Sequence, residues 1–406
     1  MRHDYLIVGG GLAAASAIEG IREHDAKGSI ALISRENFPP YHRPPLSKGL
    51  WFGKDTLETV SVQPDAWYRE RGVDLILRRE AVEIDPDLRK VWDDHGTIHE
   101  FGKLLLATGG EPRKLAVDGA GHESIHYYRH LEDYLFLRQH LDHFLHALVV
   151  GAGFIGMELA AALRHSGKEI TLLYPEEYPL RKVLPRELGL FVADFYRQKG
   201  VEAVSGETVA KFTAADGEVT AITRNGNQVT TELVVVGVGI EPETTLAEAI
   251  GLEMDSGILV DEHGRTSDPR IYAAGDVAEF PSIPLRKTMR VEHWDHALNH
   301  GRTVGACMAG SPKPYDHLPM FWSDLFELGW EAVGDLDAVT LEVHPIWQEE
   351  HRTGVLFYLA DDVIRGALLW NVWEAVDWAR DLIRQAKPTS AAEREALVKA
   401  KVSQPA

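Results

Sequence analysis

The sequence predicts an α/β protein in which two similar βαβ units precede a smaller α+β domain. Apolar segments at residues 4–8 and 147–150 each run into a glycine-rich turn and then into a helix that begins with small residues. A second apolar segment follows each helix, at 29–34 and 169–174, which is the spacing of a βαβ unit. Six of the ten tryptophans lie beyond residue 315, so the last part of the chain has a different composition.

Further apolar runs complete the two predicted sheets. Residues 104–110 and 233–239 each end in a glycine turn and predict the closing strand of their unit. Residues 270–274 predict one more strand, which lies beyond the whole second unit. That order indicates that one domain is inserted into another. We therefore expect a discontinuous first domain over 1–117 and 240–314, a second over 118–239, and a C-terminal domain over 315–406.

Within the C-terminal domain we expect a strand and a helix. Residues 363–370 form the apolar run of the strand. The helix is predicted from one apolar stripe, made of Val372, Val376, Ala379, Ile383 and Ala386. Pro388 should end this helix. Residues 389–406 are small and polar, so we expect them to fray and assign them no function.

Composition excludes several classes of protein. The chain has 406 residues and a net charge of −20, which opposes binding to nucleic acid or anionic membranes. No apolar run approaches the roughly 20 residues that span a bilayer, and the N-terminus lacks a secretory signal, so we expect a cytoplasmic protein. Cys307 is the only cysteine, which excludes an intramolecular disulfide and a Cys-x-x-Cys relay. We expect no metal site.

Two glycine fingerprints carry the chemistry. They are Gly9-x-Gly11-x-x-Ala14 and Gly151-x-Gly153-x-x-Gly156, each between a predicted strand and a predicted helix. In a Rossmann-like unit the first glycine makes the turn, the second admits a pyrophosphate, and the third position must be small. One such pattern is weak evidence, but two in the right context predict two bound dinucleotides.

Glu176 lies at the end of the second strand of the second unit, where a carboxylate normally hydrogen-bonds the ribose. A carboxylate there favours NADH over NADPH, because it repels a 2′-phosphate. Arg181 and Lys182 follow closely, and a solvated loop charge is the alternative interpretation of Glu176.

Longer motifs resemble a known family. Residues 40–48 (PYHRPPLSK), 107–109 (ATG) and 274–276 (AGD) are similar to the ferredoxin-reductase and apoptosis-inducing-factor group of FAD/NAD(H) flavoproteins. Residues 290–297 (RVEHWDHA) and 320–325 (MFWSDL) resemble the apoptosis-inducing-factor branch. The resemblance extends to about residue 335. It implies a glutathione-reductase-like fold, with FAD on the first glycine turn and NADH on the second.

The resemblance also implies roles for single residues. Asp276 would bind the ribityl chain and Arg43 the pyrophosphate of FAD. Lys48 would lie beside flavin N5, paired with Glu158, and these two are the candidate catalytic residues. A positive charge held there stabilises reduced flavin.

Three further residues would contact the ring system. Phe154 and Trp322 would lie against it, and His293 would begin a helix aimed at its pyrimidine edge. Core packing is the alternative interpretation for all three. The remaining cofactor-binding positions that the resemblance implies are Gly9, Gly11, Ala14, Glu36, Thr108, Gly109, Gly151, Gly153, Gly156, Glu176, Gly239 and Glu292.

The chain departs from the family pattern at two places. Arg35 follows Ser34 where the family has the ribose-binding carboxylate, and Glu36 comes one residue later. Glu243 stands where the family has an asparagine. The first departure leaves Glu36 as the candidate for the ribose contact, and the second leaves the contact of the family asparagine unassigned in this chain.

The predicted activity is transfer of hydride from NADH to flavin N5, followed by electron transfer to ferredoxin, a quinone or oxygen. The net charge of −20 argues against an acidic ferredoxin, because attraction would need a local basic patch. A second hypothesis is a redox-sensing interaction protein that holds a long-lived complex of NAD⁺ and reduced flavin, with a homodimer as a candidate state. A disulfide reductase is disfavoured because paired cysteines are absent from the sequence.

Overall fold

A computed structural model describes residues 2–402 of the chain. The chain forms two compact units. The first is Met1–His42, Thr56–Glu111 and Glu241–Met320, and the second is Arg43–Asp55, Pro112–Ile240 and Phe321–Ala406. The division into three domains, with the second over 118–239 and the third over 315–406, stays a prediction.

The strands of residues 2–402, in chain order, are β1 (Arg2–Val8), β2 (Ile30–Ser34), β3 (Val73–Leu77), β4 (Ala81–Asp85), β5 (Lys90–Asp93), β6 (Ile98–Leu106), β7 (Gly110–Pro112), β8 (Ile125–Tyr127), β9 (His146–Val150), β10 (Glu169–Tyr174), β11 (Val201–Ser205), β12 (Val209–Ala215), β13 (Glu218–Thr223), β14 (Gln228–Thr231), β15 (Leu233–Val236), β16 (Ile240–Pro242), β17 (Ile258–Leu259), β18 (Ile271–Ala273), β19 (Ala278–Ser282), β20 (Lys287–Arg290), β21 (Met320–Leu325), β22 (Leu328–Gly334), β23 (Glu342–Glu349), β24 (Thr353–Ala360) and β25 (Val363–Trp370). The helices are α1 (Leu12–His24), α2 (Asp65–Glu70), α3 (Leu131–Gln139), α4 (Phe154–His165), α5 (Arg186–Gln198), α6 (Thr245–Ala249), α7 (Trp294–Met308), α8 (Val376–Gln385) and α9 (Ala391–Val402).

The first unit is built on a parallel sheet of order β3-β2-β1-β6-β18, and β6 continues through antiparallel β5 and β4. Strand β18, which was expected from residues 270–274, pairs in parallel with β6. Helices α1 and α7 pack closely. A Cβ added at Gly301 would lie 2.3 Å from the carbonyl oxygen of Ala13, and one added at Gly305 would lie 2.1 Å from that of Ala17. This contact explains the small residues at the start of α1.

The second unit repeats that parallel order as β11-β10-β9-β15-β8. A three-stranded antiparallel sheet, β12-β13-β14, precedes the closing strand β15. Both predicted βαβ units are therefore present. The two closing strands end at Leu106 and Val236. The predicted glycine turns follow them at Gly109 and Gly237.

The C-terminal segment of the second unit is a five-stranded antiparallel sheet of order β21-β22-β25-β24-β23. Trp330 and Trp370 face each other across β22 and β25 and are fully buried. Ala379 and Ile383 supply the buried positions of α8. The helix ends before Pro388, where Ala386 takes a left-handed conformation with φ 50°. The predicted α/β fold with an α+β C-terminal part is confirmed.

The expectation of a frayed tail was wrong for residues 391–402, which form α9. Ser390 and Glu393 form reciprocal hydrogen bonds at its start, with Ser390 N donating to Glu393 Oε2 at 2.7 Å and Glu393 N donating to Ser390 Oγ at 3.3 Å. Residues 403–406 lie outside the described residues. None of the described helices is long and apolar enough to cross a membrane.

Candidate functional site

The first glycine turn has the geometry that its fingerprint requires. Gly9 has φ +118°, and an added Cβ would lie 2.1 Å from the carbonyl oxygen of Ala107. Gly11 caps α1 in an extended conformation, and an added Cβ would meet no atom within 4 Å. Ala14 is fully buried. The turn therefore leaves open space in front of the first amides of α1.

The second turn repeats this arrangement. Gly151 has φ +104°, and Gly153 caps α4 with open space beyond it. A Cβ at Gly156 would lie 1.9 Å from the carbonyl oxygen of Gly151, so only glycine lets the helix approach its own turn this closely. Neither α1 nor α4 has an acidic residue in its first turn, so the positive ends of both helices can accept an anion. Both turns fit a dinucleotide pyrophosphate.

The structure brings the two candidate catalytic residues together. Lys48 Nζ lies 3.2 Å from Glu158 Oε1, and Glu158 is buried on α4. Lys48 Nζ also donates to the carbonyl oxygen of Trp322 at 3.2 Å and lies 4.9 Å from the centre of the Trp322 ring. A cation over an aromatic face and beside a carboxylate is held in one place. Lys48, Glu158 and Trp322 thus form one cluster in the second unit.

Two serines that the sequence reasoning did not name complete this cluster. Ser47 Oγ donates to Glu158 Oε2 at 2.6 Å, and Ser323 Oγ donates to Glu158 Oε1 at 2.7 Å. Both serines are buried. They directly precede Lys48 and directly follow Trp322, but nothing in the local sequence connects either of them to Glu158.

The negative charge of Glu158 also affects the pKa of a neighbouring tyrosine, Tyr196. Tyr196 on α5 is fully buried and donates to the carbonyl oxygen of Met157 at 3.0 Å. Burial first, and then the negative charge of Glu158, raise the pKa of Tyr196 well above its usual value. The surroundings of Glu158 are therefore poorly hydrated, and the hydrogen bonds to its carboxylate meet little competition from water.

Phe154, the first residue of α4, packs among aromatic rings. Its ring centre lies 5.4 Å from that of Phe321 and 5.7 Å from that of Trp330. The side chain is half-buried. The structure thus shows the packing contact, and the flavin contact implied by the resemblance stays a prediction.

Arg43 and Gly239 lie elsewhere in the second unit. Arg43 Nη1 donates to the carbonyl oxygen of Arg129 at 2.9 Å and lies 3.3 Å from His130 Nδ1. Gly239 has φ +96°, and its carbonyl oxygen accepts from Arg113 N at 3.0 Å. The first contacts hold the side chain of Arg43, and the last one holds the backbone at Gly239.

In the first unit, Asp276 lies in the 3-10 turn Gly275–Val277. Arg290, which the sequence reasoning did not single out, donates from Nη1 to the carbonyl oxygen of Asp276 at 3.0 Å. The same nitrogen lies 2.6 Å from Glu292 Oε1. Arg290 therefore connects two of the predicted cofactor-binding residues.

His293 caps α7, so this helix begins where the family resemblance implied. Burial lowers the pKa of His293 to about 4, although the charges of Asp276 and Asp295 act in the opposite direction. The imidazole is therefore neutral at pH 7. Trp294 Nε1 donates to His42 Nδ1 at 2.9 Å, which ties the start of α7 to the segment that follows β2.

The first ribose position shows how the chain accommodates its departure from the family pattern. Arg35 forms an ion pair with Glu111, and Tyr41 Oη donates to Glu36 Oε2 at 2.5 Å. The arginine is thus neutralised, and Glu36 is the carboxylate that remains after Ser34.

The turn at Thr108 and Gly109 is bound through the backbone of Glu243. Thr108 Oγ1 donates to the carbonyl oxygen of Glu243 at 2.6 Å, and Glu243 N donates to the carbonyl oxygen of Gly109 at 3.0 Å. Both contacts use main-chain atoms of Glu243, so they do not depend on whether residue 243 is glutamate or asparagine.

Glu176 lies two residues after the end of β10 and is half-buried. Gly206 N donates to its carbonyl oxygen at 3.2 Å, so the backbone of this loop is anchored. The next residue, Glu177, accepts from Arg186 Nε at 3.0 and 3.1 Å. This hydrogen bond raises the pKa of Arg186 and lowers the pKa of Glu177. Arg186 is therefore already engaged by a carboxylate of the same loop.

Comparisons with known proteins agree with this geometry. Residues 3–301 match the pyridine nucleotide-disulphide oxidoreductase family, and residues 304–348 and 339–385 match the C-terminal domain of mitochondrion-associated apoptosis-inducing factor. The seedling isozyme of monodehydroascorbate reductase from Cucumis sativus is 33% identical over 398 residues, which cover 90% of each chain. Putidaredoxin reductase from Pseudomonas putida is 34% identical over 336 residues, which cover 81% of this chain and 79% of the other. The crystal structure of the ferredoxin reductase for the CYP199A2 system from Rhodopseudomonas palustris superposes with a TM-score of 0.91 at 32% identity, covering 98% of this chain and 100% of that one.

These matches confirm the resemblance and the fold that the sequence predicted. They make the chain a flavoprotein oxidoreductase that uses FAD and a pyridine nucleotide and passes electrons to an acceptor. The alternative of a redox-sensing interaction protein is not favoured by the relatives. The chain belongs to the pyridine nucleotide-disulphide oxidoreductase family, within the group of the ferredoxin reductases and apoptosis-inducing factor.

Proposed function

We propose that this protein is an NADH-dependent reductase whose electron acceptor is a small iron–sulfur protein of the ferredoxin type. The observation that carries the flavin-reducing activity in this proposal is the Lys48 ammonium, which is fixed by a buried carboxylate on α4. The same helix begins at the open glycine turn of Gly153. In this proposal α4 therefore presents its first amides to a dinucleotide and also carries Glu158, which holds the ammonium.

FAD, when bound, accepts hydride from a reduced nicotinamide and releases electrons singly. Lys48 would stabilise the negative charge that this reduction creates, and Glu158 would keep the ammonium in position. No side chain is required as a nucleophile. The roles that the resemblance implies for Arg43, Phe154, Asp276, His293 and Trp322 stay part of the proposal.

The preference for NADH is supported by the loop that follows β10. Glu176 and Glu177 place two carboxylates in this loop, and Arg186 is bound by the second of them. A 2′-phosphate would meet negative charge at this position and would have to compete with Glu177 for Arg186. The test is kcat/KM for NADH and NADPH at one ionic strength. A value for NADPH equal to or above that for NADH would overturn the preference.

The ferredoxin-type acceptor is supported by relatives that are named as reductases of putidaredoxin and of a ferredoxin, and that cover most of this chain. The net charge of −20 points to an acceptor that is less acidic than most ferredoxins. The match to a monodehydroascorbate reductase favours a small organic acceptor as the second candidate.

The experiment is an anaerobic titration with NADH, followed by reoxidation with a [2Fe–2S] ferredoxin, a quinone and oxygen in separate runs. We expect the ferredoxin to reoxidise the protein fastest and the rate to depend on salt. Faster reoxidation by the quinone would select the second candidate. Slow reoxidation by all three, together with an NADH-dependent change in size, would support the redox-sensing hypothesis. The homodimer and the cytoplasmic location stay predictions.

A further inference from the structure

The carboxylate of Glu158 is held by more than its lysine. Each of its two oxygens accepts a hydrogen bond from a different serine, Ser47 on Oε2 and Ser323 on Oε1. We propose that Ser47 and Ser323 are positioning residues for the Lys48–Glu158 pair, and that their hydroxyls fix the carboxylate so that Oε1 stays turned toward the ammonium.

The distances support this assignment. The two serine contacts, 2.6 and 2.7 Å, have the usual length of an O–H···O⁻ hydrogen bond, whereas 3.2 Å between Lys48 Nζ and Glu158 Oε1 is longer than a typical N⁺–H···O⁻ bond. The orientation of the carboxylate is therefore set chiefly by the serines. The ammonium then adopts the position that the carboxylate and the Trp322 carbonyl together define.

Because the site is buried, water cannot easily take the place of the serine hydroxyls as hydrogen-bond donors. Ser47 is 2% exposed, Ser323 is 0% exposed and Glu158 is 4% exposed. Water has little access to either carboxylate oxygen, so removing a hydroxyl would leave that oxygen with fewer donors in a poorly hydrated place. A carboxylate that loses such a donor can rotate, and the ammonium that follows it would lose its fixed position.

The chain connectivity strengthens the constraint. Ser47 is bonded to Lys48 along the chain, and Ser323 is bonded to Trp322, whose carbonyl oxygen accepts from Lys48. Ser47 closes the 3-10 turn Pro44–Leu46, and Ser323 lies within β21, so both hydroxyls are carried by ordered backbone. The two serines that hold the carboxylate are thus bonded along the chain to the lysine itself and to the residue whose carbonyl oxygen accepts from that lysine.

The proposal rests on the proposed function, in which Lys48 stabilises reduced flavin. The test is a set of Ser47→Ala and Ser323→Ala variants, each made in the parent and in a Glu158→Gln background. Flavin reduction by NADH is followed by anaerobic stopped-flow absorbance. Ser282→Ala is the matched control, because Ser282 is also buried and its hydroxyl has no hydrogen-bond partner among the described residues.

In the parent background we expect each serine variant to reduce its flavin about tenfold more slowly at unchanged FAD content, as the loss of a hydrogen bond to a charged group would cause. In the Glu158→Gln background the same changes should alter the rate by less than about twofold, because the group through which the serines act has been neutralised. Ser282→Ala should match the parent. Equal slowing in both backgrounds would overturn the proposal.

A second measurement does not depend on turnover. The FAD-loaded protein is treated with an acetylating reagent without NADH, and modification of Lys48 is measured by mass spectrometry against the other lysines of the same sample. In the Ser47→Ala/Ser323→Ala double variant we expect Lys48 to react roughly threefold faster or more, because its carboxylate partner is less firmly placed. Unchanged reactivity would overturn the positioning role.

The two measurements separate the possible failures. If the parent protein is not reduced by NADH, the proposed function fails, while the reactivity of Lys48 still decides the role of the serines. The single variants provide the same comparison if the double variant does not fold.

Discussion

Acidification should destabilise this protein through buried histidines, and His300 allows the size of the effect to be worked out. His300 lies on α7, is fully buried, and accepts from Gly275 N through Nδ1 at 3.3 Å. Burial lowers its pKa to about 3. The pKa of an unfolded histidine is about 6.5. The unfolded chain therefore binds a proton at pH 5 that the folded chain does not.

The sign and the magnitude follow from linkage. A histidine with a lowered pKa contributes its full stability above pH 6.5 and loses it as the pH falls from 6.5 toward 3. Between pH 6.5 and pH 5 the loss amounts to about 2 kcal/mol, since each pH unit corresponds to about 1.4 kcal/mol for one proton. The pKa of His296 is lowered well below its usual value and that of His293 to about 4, both by burial, so they act in the same direction.

The assay compares urea unfolding at pH 7 and pH 5 for the parent and for His300→Asn, which retains an acceptor for Gly275 N but does not titrate. We expect the loss of unfolding free energy between the two pH values to be smaller in the variant by about 2 kcal/mol. Far-UV circular dichroism and tryptophan fluorescence are recorded together, because a chain of two units can unfold in more than one step.

His143→Asn is the matched control, because His143 is solvent-exposed. It should show the same pH dependence as the parent. If His300→Asn also loses stability between pH 7 and pH 5 by as much as the parent does, His300 is not a neutral buried histidine, and the reasoning from burial is wrong.

Three further predictions concern the cofactors. Lys48→Ala should keep its FAD content but reduce flavin at least about tenfold more slowly, and stopped-flow rates equal to the parent would contradict the role of the ammonium. Glu177→Gln should raise kcat/KM for NADPH by roughly threefold by releasing Arg186, whereas Glu177→Gln/Arg186→Gln should show no gain; equal gains in both would rule out Arg186 as the cause. Gly153→Val should raise KM for NADH by about tenfold or more while FAD stays bound, and Gly11→Val should instead lower the FAD content, because each side chain fills the open space before one helix. An effect on the opposite cofactor in either variant would reverse the assignment of the two turns.

Elements with strong local patterns were predictable from the sequence. The run at 363–370 is the strand β25, and both glycine fingerprints lie at the predicted junctions of strand and helix. The strand β6 begins at Ile98, well before its apolar run, because its early residues alternate in the antiparallel pairing with β5. Strand β6 thus begins as a half-buried strand paired antiparallel with β5 and continues as a buried strand in parallel pairing. The apolar run predicts only the buried, parallel part.

The helix α9 was missed although a local signal existed. Its residues are small and polar, which led to the expectation of fraying, but Ser390 and Glu393 have the spacing of a capping box. One further contact that holds α9 in place could not be predicted from the local sequence. Arg394 is 4% exposed and donates from Nε to His344 Nδ1 at 2.9 Å, a contact across 50 residues of sequence.

Glu158 shows where sequence reasoning about the site reaches its limit. It is one carboxylate within the buried run of α4, between Met157 and Leu159, which are both 0% exposed. A buried charge needs partners, so the run itself predicts that donors exist. It does not say which ones, because Lys48, Ser47 and Ser323 are separated from Glu158 by more than a hundred residues and no periodic pattern connects them. The family resemblance supplied the lysine, whereas the serines became visible only when the fold placed a hydroxyl on each carboxylate oxygen. A buried carboxylate with a single known partner is therefore a reason to search the structure for the donors that the sequence leaves unnamed.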